Sequence, residues 1–390
     1  MKIAVDGRVL MDVRQSGVSA YTQNLLDALL DIDRQNQYLL FYNTHRRPAA
    51  YPAIAARFEH FRRRGVKIVA RRWPNKILNY LLLWPFAWPK LDHLLGEQVD
   101  LWWQPHLNFS ALSRRLKNIL TIHDLSFLRY PEFFSWSRNL WHRFIRSCVL
   151  ANKADRVVAI SENTKRDIRE LTGVSEEKIS VIYSGITADF KPFNKDDESL
   201  AAVKNKYQLP DKFILYLGTI EPRKNLVGLI AGYNWLRQNY PALAEVKLII
   251  TGGNGWKFKE VYAAAAASPF RNDIKFLGYV SAADKPALYN LAGVFAFVSF
   301  YEGFGFPPLE AMACGVPVVA SFTSSMPEVI GEAGVLVDPY NAADIGEVLA
   351  QVLLDENLAQ DLRARGLAQA KKFSWRQTAE KYLTIFNESL

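Results

Sequence analysis

The sequence predicts an α/β protein of two domains, each built on a parallel β-sheet flanked by helices. Three observations support this. The chain has 390 residues, which is longer than one ordinary domain. Short apolar runs alternate with helix-period segments along most of it, as in βα units. A charged, proline-containing stretch, residues 186–212, interrupts the alternation. We therefore predict a first domain at residues 1–194 and a second at residues 195–374.

The strand predictions follow the chain in order. In the first domain the apolar runs are KIAVDG, QYLLFYN, VKIVAR, VDLWWQP, NILTIHD, DRVVAIS and ISVIYSG. In the second domain they are FILYLGT, VKLIITG, DIKFLGY, VFAFVSF, VPVVAS and GVLVDP. The last segment, residues 375–390, carries apolar residues at helical spacing with no strand after it. We predict that this helix packs back onto the first domain.

Composition narrows the classes of function. The net charge of +9 favours an anionic partner: nucleic acid, an acidic membrane surface or a phosphorylated small molecule. The two cysteines lack the spacing of a disulfide framework or a zinc site. The N-terminus runs directly into a strand pattern without a signal peptide. Residues 77–89 are the most apolar window, which is too short to span a bilayer. We expect a cytoplasmic protein.

The stretch EGFGFPPLE, from Glu302 to Glu310, places two carboxylates around a glycine- and proline-rich turn. It follows a predicted buried strand and enters a short helix through Pro308, so it lies at the carboxyl edge of a parallel sheet, where such folds bind ligands. Glu310 is expected in the first helical turn, where the helix dipole favours a negative charge. An ionised carboxylate accepts two hydrogen bonds and so suits the diol of a sugar or ribose. An ordinary strand-to-helix turn explains the stretch equally well.

A second stretch, YLGTIEPRKNL, also joins a strand to a helix. Arg223 and Lys224 stand together near the helix start, and their donors suit a diphosphate. A solvated basic turn is the alternative. A third stretch, LIITGGNGWKF, has Gly252, Gly253 and Gly255 after a strand, but matches neither the Walker A nor the GxGxxG pattern.

The sequence resembles the retaining glycosyltransferases of family 4, which have the GT-B fold of two Rossmann-like domains facing each other across a cleft. The likeness is densest in LGTIEPRKN, in the run from FLGYVSAADK to VPVVAS, and in SSMPEVIGEAGVLVDP. The E-x7-E spacing of Glu302 and Glu310 is typical of that family. Weaker likeness covers SGVSAYT, TIHDL, VVAISENTKRD and VIYSGI in the first domain, and the last helix.

The resemblance implies a nucleotide-sugar donor site. Arg223 and Lys224 would hold the diphosphate, Glu310 the ribose, and Glu302 with the following amides the sugar ring. Two positions depart from the family pattern: Thr219 replaces a common arginine, and Ser19 replaces a second glycine. The remaining residues expected at the donor are Gly17, Thr219, Gly252, Tyr279, Val280, Phe304, Gly305, Phe306 and Leu309.

The resemblance also implies the type of reaction. Arg223 and Lys224 would stabilise the leaving diphosphate, Glu302 would contact the sugar, and His123 in TIHDL resembles the family's active-site histidine. His106 and Ser19 are candidates for the acceptor side. The only DxD sequence, at residues 31–33, ends a helical pattern rather than a strand. We therefore expect transfer with retention of configuration and without a metal or other cofactor.

The expected reaction moves a hexose, GDP-mannose being the first choice of donor, to a glycan or lipid-linked acceptor of an envelope polysaccharide or exopolysaccharide. The basic and aromatic segment 57–90 could contact an anionic membrane, although a solvated helix beside an ordinary core explains it as well. No nucleic-acid-binding motif is present in the sequence. The alternatives are a nucleotide-sugar 2-epimerase or hydrolase on the same fold, and a non-catalytic binding subunit.

Overall fold

A computed structural model describes residues 1–12, 16–44, 52–83 and 87–389. These residues form two compact units. The first unit comprises residues 1–129, 136–185 and 374–390, and the second comprises residues 130–135 and 186–373. Residues 186–194 pack in the second unit. Phe193 N donates to Asn290 Oδ1 (2.8 Å), and the centroids of the Phe190 and Tyr289 rings are 6.0 Å apart. The boundary therefore precedes the predicted position near residue 195.

The first unit holds a seven-stranded parallel sheet in the order β3-β2-β1-β4-β5-β6-β7. Its five inner strands are buried over most of their length, as expected for a sheet covered on both faces. The two edge strands, Lys67–Arg71 and Ile179–Val181, are only partly buried. The elements are β1 (Lys2–Asp6), α1 (Gly17–Ile32), β2 (Gln37–Asn43), α2 (Pro52–Arg63), β3 (Lys67–Arg71), α3 (Asn75–Leu82), β4 (Leu101–Gln104), β5 (Lys117–Ile122), α4 (Ser126–Arg129), α5 (Trp136–Ile145), α6 (Ser147–Lys153), β6 (Arg156–Ala159), α7 (Glu162–Thr172) and β7 (Ile179–Val181).

The second unit holds a six-stranded parallel sheet in the order β10-β9-β8-β11-β12-β13. Its elements are α8 (Glu198–Tyr207), β8 (Phe213–Leu217), α9 (Leu226–Asn239), β9 (Lys247–Thr251), α10 (Lys259–Ala267), β10 (Ile274–Gly278), α11 (Lys285–Asn290), β11 (Val294–Phe297), α12 (Phe306–Ala313), β12 (Val318–Ser321), α13 (Met326–Ile330), β13 (Val335–Val337), α14 (Ala342–Leu354) and α15 (Glu356–Ala370). The predicted α/β class and its strand stretches are confirmed in both units.

The last helix, α16 (Trp375–Glu388), packs in the first unit against α1. Its apolar face includes Trp375, whose ring meets the Tyr21 ring edge-on at 5.4 Å. The fully buried Tyr382 hydroxyl joins two other buried hydroxyls, Tyr21 Oη at 2.9 Å and Thr121 Oγ1 at 2.6 Å. A polar chain inside an apolar interface thus fixes where the helix docks.

Replacing Tyr382 with phenylalanine should lower the free energy of unfolding by about 1–3 kcal/mol, because the Tyr21 and Thr121 hydroxyls lose their buried partner. Urea denaturation monitored by tryptophan fluorescence measures this. Tyr340→Phe is the control, because Tyr340 is 71% exposed and should change stability by less than about 0.5 kcal/mol. Equal effects of the two changes would contradict a structural role for the hydroxyl chain.

Candidate functional site

The order of the second sheet reverses between β8 and β11, which lie side by side although two βα units separate them in the chain. In open α/β sheets, the crevice at the carboxyl ends of such a strand pair is the usual ligand site. The loop after β8 carries Glu221, Arg223 and Lys224, and the loop after β11 carries Glu302. The fold thus brings the two predicted charged stretches to one edge of the sheet.

These four side chains form a buried ionic cluster. Arg223 Nη1 donates to Glu302 Oε2 at 2.9 Å, and Arg223 Nη2 donates to Glu221 Oε1 at 2.9 Å. Lys224 Nζ donates to the other Glu302 oxygen, Oε1, at 2.5 Å. Each of the four side chains is at most 12% exposed. The cluster is electrically balanced, with two carboxylates facing two cations. Glu221 is a member that the sequence analysis did not single out.

Backbone contacts hold the cluster in place. Pro222–Lys224 form a single 3₁₀ turn, followed by Asn225 in the left-handed region at φ +53°. Asn225 caps α9 by accepting from Gly228 N (3.2 Å), and its amide donates to the carbonyls of Val298 (3.0 Å) and Pro339 (2.6 Å). These bonds join the loop after β8 to the segments that follow β11 and β13. They therefore hold in place the backbone that carries Arg223 and Lys224.

The ionisation of the cluster follows from its burial and its charges. Burial alone would raise the pKa of the Glu302 carboxyl, but the positive charges of Arg223 and Lys224 outweigh it and lower the pKa below the usual value. Burial, together with the charge of Arg223, lowers the pKa of the Lys224 ammonium. Glu302 is therefore ionised at neutral pH.

The turn after Glu302 has the backbone that its sequence predicts. Gly305 adopts φ +116°, and a Cβ there would lie 2.5 Å from Met326 Cε, so a larger residue would be strained on both counts. The Ser325 hydroxyl donates to the carbonyls of Glu302 (3.0 Å) and Phe304 (2.8 Å). Glu302 N donates to Ser324 Oγ (2.9 Å). Both serines lie in the SSMPEVI stretch, whose role the sequence left unassigned.

Glu310 lies on α12 beyond its first turn. The helix begins at Phe306, with Pro307 in the first turn, so the predictions of entry through Pro308 and of a dipole-favoured position for Glu310 are wrong. Instead, the Tyr289 hydroxyl donates to Glu310 Oε2 at 2.8 Å. Burial raises the pKa of the Glu310 carboxyl, against the opposing effects of Lys285 and Tyr289.

Replacing Glu310 with glutamine should stabilise the protein at pH 7. The pKa of the Glu310 carboxyl is higher in the folded state than the ordinary value of 4.5. As the pH rises above 4.5 the free energy of unfolding therefore falls, until the carboxyl is ionised in the folded state as well. Below pH 4.5 this loss of stability is absent. The gain should therefore shrink between pH 7 and pH 4 in urea denaturation. Glu347→Gln on the exposed side of α14 is the control. A variant that is less stable than the wild type at pH 7 would contradict this account.

Apart from Gly17, which lies in the first unit, the remaining residues predicted at the donor occupy the second unit in different environments. Thr219 and Tyr279 are exposed, and Tyr279 is 63% so. Val280, Phe304 and Leu309 have buried side chains, while Phe306 is partly buried. A Cβ on Gly252 would lie 1.9 Å from Gly218 O. Glycine at position 252 is therefore required by packing between two backbones, a reason that the sequence did not reveal.

The second unit also contains a hexapeptide from the first half of the chain, residues 130–135. Trp256 Nε1 donates to Phe133 O at 2.6 Å, and the Trp256 ring stacks on Phe134 at 5.3 Å. Phe133 stacks on Phe300 at 5.5 Å, and Tyr130 contacts Tyr301 at 5.6 Å. The hexapeptide thus packs against the two residues that precede Glu302.

Replacing Trp256 with phenylalanine should make the hexapeptide easier to cleave, because the substitution removes the donor to Phe133 O and part of the stacked area. Limited chymotrypsin digestion followed by mass spectrometry would report faster cleavage after Phe133 or Phe134. Trp235→Phe on α9 is the matched control. Unchanged cleavage of the Trp256 variant would show that the hexapeptide does not depend on this contact.

The first-domain candidates lie in the first unit, at the N-terminal end of α1 and at the carboxyl ends of β4 and β5. Gly17 is exposed at the start of α1, and Ser19 is fully buried in its first turn. His123 follows β5; its Nε2 lies 2.8 Å from Pro105 O, and its ring meets Tyr21 edge-on at 4.7 Å. Burial lowers the pKa of His123 and lowers that of His106, after β4, to about 4. Both imidazoles are neutral at pH 7.

The DxD residues lie at the end of α1, as the helical pattern predicted. Asp31 pairs with Arg64, and Asp33 accepts from the Tyr38 hydroxyl at 2.6 Å. Among the described residues, no group of three or more histidines, cysteines and acids could hold a metal ion. Within the same residues, no helix combines the length and the apolar character needed to cross a membrane.

Comparison with protein families gives two adjoining matches. Residues 15–190 match the family "Glycosyltransferase Family 4", and residues 198–369 match "Glycosyl transferases group 1". The O-antigen chain mannosyltransferase B of Escherichia coli is 34% identical over 325 residues, which are 81% of this chain and 81% of that protein. This chain belongs to the family 4 glycosyltransferases.

Other similar proteins extend the comparison. The serotype-specific mannosyltransferase WbdA of Escherichia coli is 34% identical over 70% of this glycosyltransferase and 34% of its own length. Among solved structures, HepE of Anabaena in complex with UDP and glucose matches over 100% of both chains, with a TM-score of 0.72 and 18% identity. Sucrose-phosphate synthase from Thermosynechococcus elongatus gives a TM-score of 0.74 at 18% identity, covering 100% of this chain and 98% of its own. The fold of this glycosyltransferase is therefore GT-B.

Proposed function

We propose that this glycosyltransferase moves a hexose from a nucleotide-diphosphate sugar to a glycan or lipid-linked acceptor, with retention of configuration, at the cytoplasmic face of the cell membrane. GDP-mannose is the proposed donor, and an O-antigen or similar envelope polysaccharide the proposed product. The names of the relatives support this choice, because an O-antigen chain mannosyltransferase is 34% identical over most of both chains. A structural neighbour in complex with UDP-glucose supports a nucleotide-sugar donor.

The observation that carries the proposal is the ionic cluster at the β8–β11 edge. A departing nucleoside diphosphate gains negative charge on its β-phosphate, and preorganised cations stabilise that charge most where water is largely excluded. Arg223 and Lys224 are held there by backbone contacts and are about nine-tenths buried. A bound diphosphate would compete with Glu302 for their donors. Glu302 would then be free to accept hydrogen bonds from sugar hydroxyls.

The proposed contacts follow from this arrangement. Glu310 would accept from the ribose hydroxyls beside Tyr289, and the exposed backbone around Tyr279 would meet the base. Backbone groups of Phe304 and Gly305, held by Ser325, would meet the sugar ring. In the first unit, His123 is assigned to the sugar or the acceptor, Gly17 to the phosphates, and Ser19 and His106 to the acceptor.

In the proposed transfer, the acceptor oxygen attacks the anomeric carbon on the face from which the diphosphate leaves. The bond between that carbon and the β-phosphate oxygen breaks, and the released oxygen takes the proton of the acceptor hydroxyl. Arg223 and Lys224 supply the positive charge that a divalent ion supplies in other transferases. Transfer should therefore continue in excess EDTA, and NMR of the product should show the anomeric configuration of the donor.

Membrane contact is proposed at part of the segment 57–90. Several of its basic residues are engaged within the first unit: Arg57 donates to Leu10 O at 2.5 Å, and Arg62 pairs with Glu59. Exposed apolar side chains lie on α3, where Ile77 is 52% and Tyr80 61% exposed. Residues 84–86 of the segment lie outside the described residues. Sedimentation with phosphatidylserine vesicles, but not with phosphatidylcholine vesicles, is the expected result.

The experiment that tests the proposed function combines binding and turnover. Purified protein is heated with a panel of nucleotide sugars, and a ligand at 100 times its dissociation constant should add about 2.7 kcal/mol of stability. The stabilising donor is then incubated with and without mannoside acceptors. Glycosylated product formed only with acceptor is expected. Conversion of the donor without acceptor would instead indicate an epimerase or hydrolase, and binding without any turnover would indicate a non-catalytic subunit.

A further inference from the structure

The loop that carries Arg223 is held from both sides. It follows β8, which lies between β9 and β11 in the second sheet. On the β9 side, Ile220 N donates to Gly253 O and Gly255 N donates to Ile220 O, both at 3.0 Å. On the β11 side, Phe300 N donates to Arg223 O at 2.9 Å. The loops after both neighbouring strands therefore determine where the Arg223 backbone lies.

The hexapeptide 130–135 is bound by the first of these flanking loops, the one after β9. Trp256 Nε1 donates to Phe133 O, and Lys257 Nζ donates to Glu132 O, both at 2.6 Å. The two donors are adjacent residues of one loop, and the two acceptors are adjacent carbonyls of the hexapeptide. The hexapeptide is therefore attached to this loop through its backbone, and its aromatic rings make a separate contact.

That contact is with the second flanking loop, the segment after β11. The Phe133 ring is stacked on the Phe300 ring, with centroids 5.5 Å apart and 13° between the planes. The Tyr130 ring lies 5.6 Å from the ring of Tyr301, a residue that is only 3% exposed. The hexapeptide thus bridges the loops after β9 and β11, the same two loops that hold the loop after β8.

Phe300 and Tyr301 connect the hexapeptide to the guanidinium group. Arg223 Nη1 donates to Tyr301 O at 2.7 Å, and the same nitrogen donates to Glu302 Oε2 at 2.9 Å. The two residues that receive the ring contacts are therefore the two that bond Arg223, one at its backbone and one at its side chain. A shift of the Phe300–Tyr301 backbone would displace an acceptor of the guanidinium. It would thereby misplace the donors that are proposed for the diphosphate.

We propose that Tyr130 and Phe133 are positioning residues for the donor diphosphate. They hold the Phe300–Tyr301 backbone, and that backbone fixes the guanidinium of Arg223. They act through Arg223 and not by contact with the ligand. The inference rests on the proposed function, because it takes Arg223 as the residue that binds the diphosphate. It goes beyond that function by assigning a role at the donor site to a segment from the first half of the chain.

The principal test is Phe133→Ala, with GDP as the probe in calorimetric titration. The loss of one stacked ring should loosen the Phe300 backbone, and we expect the Kd for GDP to rise about threefold to tenfold. Phe133→Tyr keeps the ring and should bind GDP as the wild type does. Tyr240→Ala is the matched control, because it removes an aromatic contact of the same unit, with Trp235 at 6.0 Å, at the C-terminal end of α9. An unchanged Kd in Phe133→Ala, or an equal rise in Tyr240→Ala, would overturn the proposal.

A double-mutant cycle shows whether the effect passes through Arg223. Arg223→Lys keeps a positive charge beside Glu302 but removes the planar guanidinium that bonds Tyr301 O and Glu302 together. In this background, Phe133→Ala should change the Kd for GDP by less than about twofold, because the group that the ring positions is gone. The same fold-change in both backgrounds would show that Phe133 acts independently of Arg223, which would overturn the proposal.

A measurement without ligand separates this inference from the proposed function. Arg223 Nε donates to Glu221 Oε1 at 3.2 Å, and the Arg223 side chain is 12% exposed, so its Nε proton should exchange slowly with water. In NMR of ¹⁵N-arginine-labelled protein, the signal is assigned by its loss in Arg223→Lys. Phe133→Ala should speed the exchange about threefold to tenfold, and Phe133→Tyr should not.

The two kinds of failure are then distinguishable. A wild-type protein that binds neither GDP nor any nucleotide sugar would contradict the proposed function, and the exchange rate would still test the positioning of Arg223. An unchanged exchange rate in Phe133→Ala would overturn the positioning role, whatever the wild type binds.

Discussion

Replacing Glu302 with glutamine is expected to lower the kcat of sugar transfer by about 100-fold to 1,000-fold, the range found when one preorganised polar group of an active site is lost. Glutamine keeps the size of the side chain but not its charge. Arg223 and Lys224 would lose the carboxylate that orients them, and the sugar would lose an acceptor for its hydroxyls. Steady-state kinetics with saturating donor measures the effect.

Glu347→Gln is the matched control for this change, because it also replaces a glutamate of the second unit, in this case one that is exposed on α14. It should leave kcat and stability unchanged. The melting temperature of both variants, measured with and without donor, separates loss of folding from loss of catalysis. A Glu302→Gln protein that is folded and turns over at the wild-type rate would contradict the assigned role.

Replacing Arg223 with alanine is expected to have the largest effect on stability, about 3–5 kcal/mol, because it leaves Glu221 and Glu302 buried with only Lys224 as counter-charge. Donor binding should also weaken, by roughly 10-fold to 100-fold, as hydrogen bonds to a charged phosphate are lost. Urea denaturation and calorimetric titration with GDP measure the two effects. Arg271→Ala, an exposed arginine of the same unit, is the control.

The pH dependence of this destabilisation is a further check. Because the cations lower the pKa of Glu302 in the folded state, the stability that they contribute is present above the ordinary value of 4.5 and is lost as the pH falls through the folded pKa. The difference between wild type and Arg223→Ala should therefore narrow on acidification below pH 4.5. A constant difference from pH 7 to pH 3 would show that the cluster does not act through this ionisation.

The sequence alone predicted the local elements and the two charged stretches of the site. The apolar runs predicted the strands because a strand that is buried on both faces, such as Phe213–Leu217, consists almost entirely of apolar residues. The predicted cation pair and Glu302 are brought into contact by the pairing of β8 with β11. The hydrogen bond between Arg223 and Glu302 joins residues 79 positions apart, so the sequence could suggest this contact only through the resemblance.

Other parts of the site depend on tertiary contacts without a local signal. Tyr289 bonds Glu310 from α11, and Ser325 holds the backbone of the turn from the start of α13. Glu221 looked like part of a solvated turn, yet it is a buried partner of Arg223. The hexapeptide 130–135 had no local signal either, because only the folded chain shows what covers its aromatic side chains.

The central claim is that the Arg223–Lys224–Glu302 cluster of the second unit binds the nucleotide sugar. A crystal structure of the protein with GDP-mannose tests it most directly. The claim predicts phosphate oxygens within about 3 Å of Arg223 and Lys224 nitrogens, with a Glu302 oxygen at the same distance from a sugar hydroxyl. A nucleotide bound elsewhere, with Glu302 still paired to both cations, would contradict it.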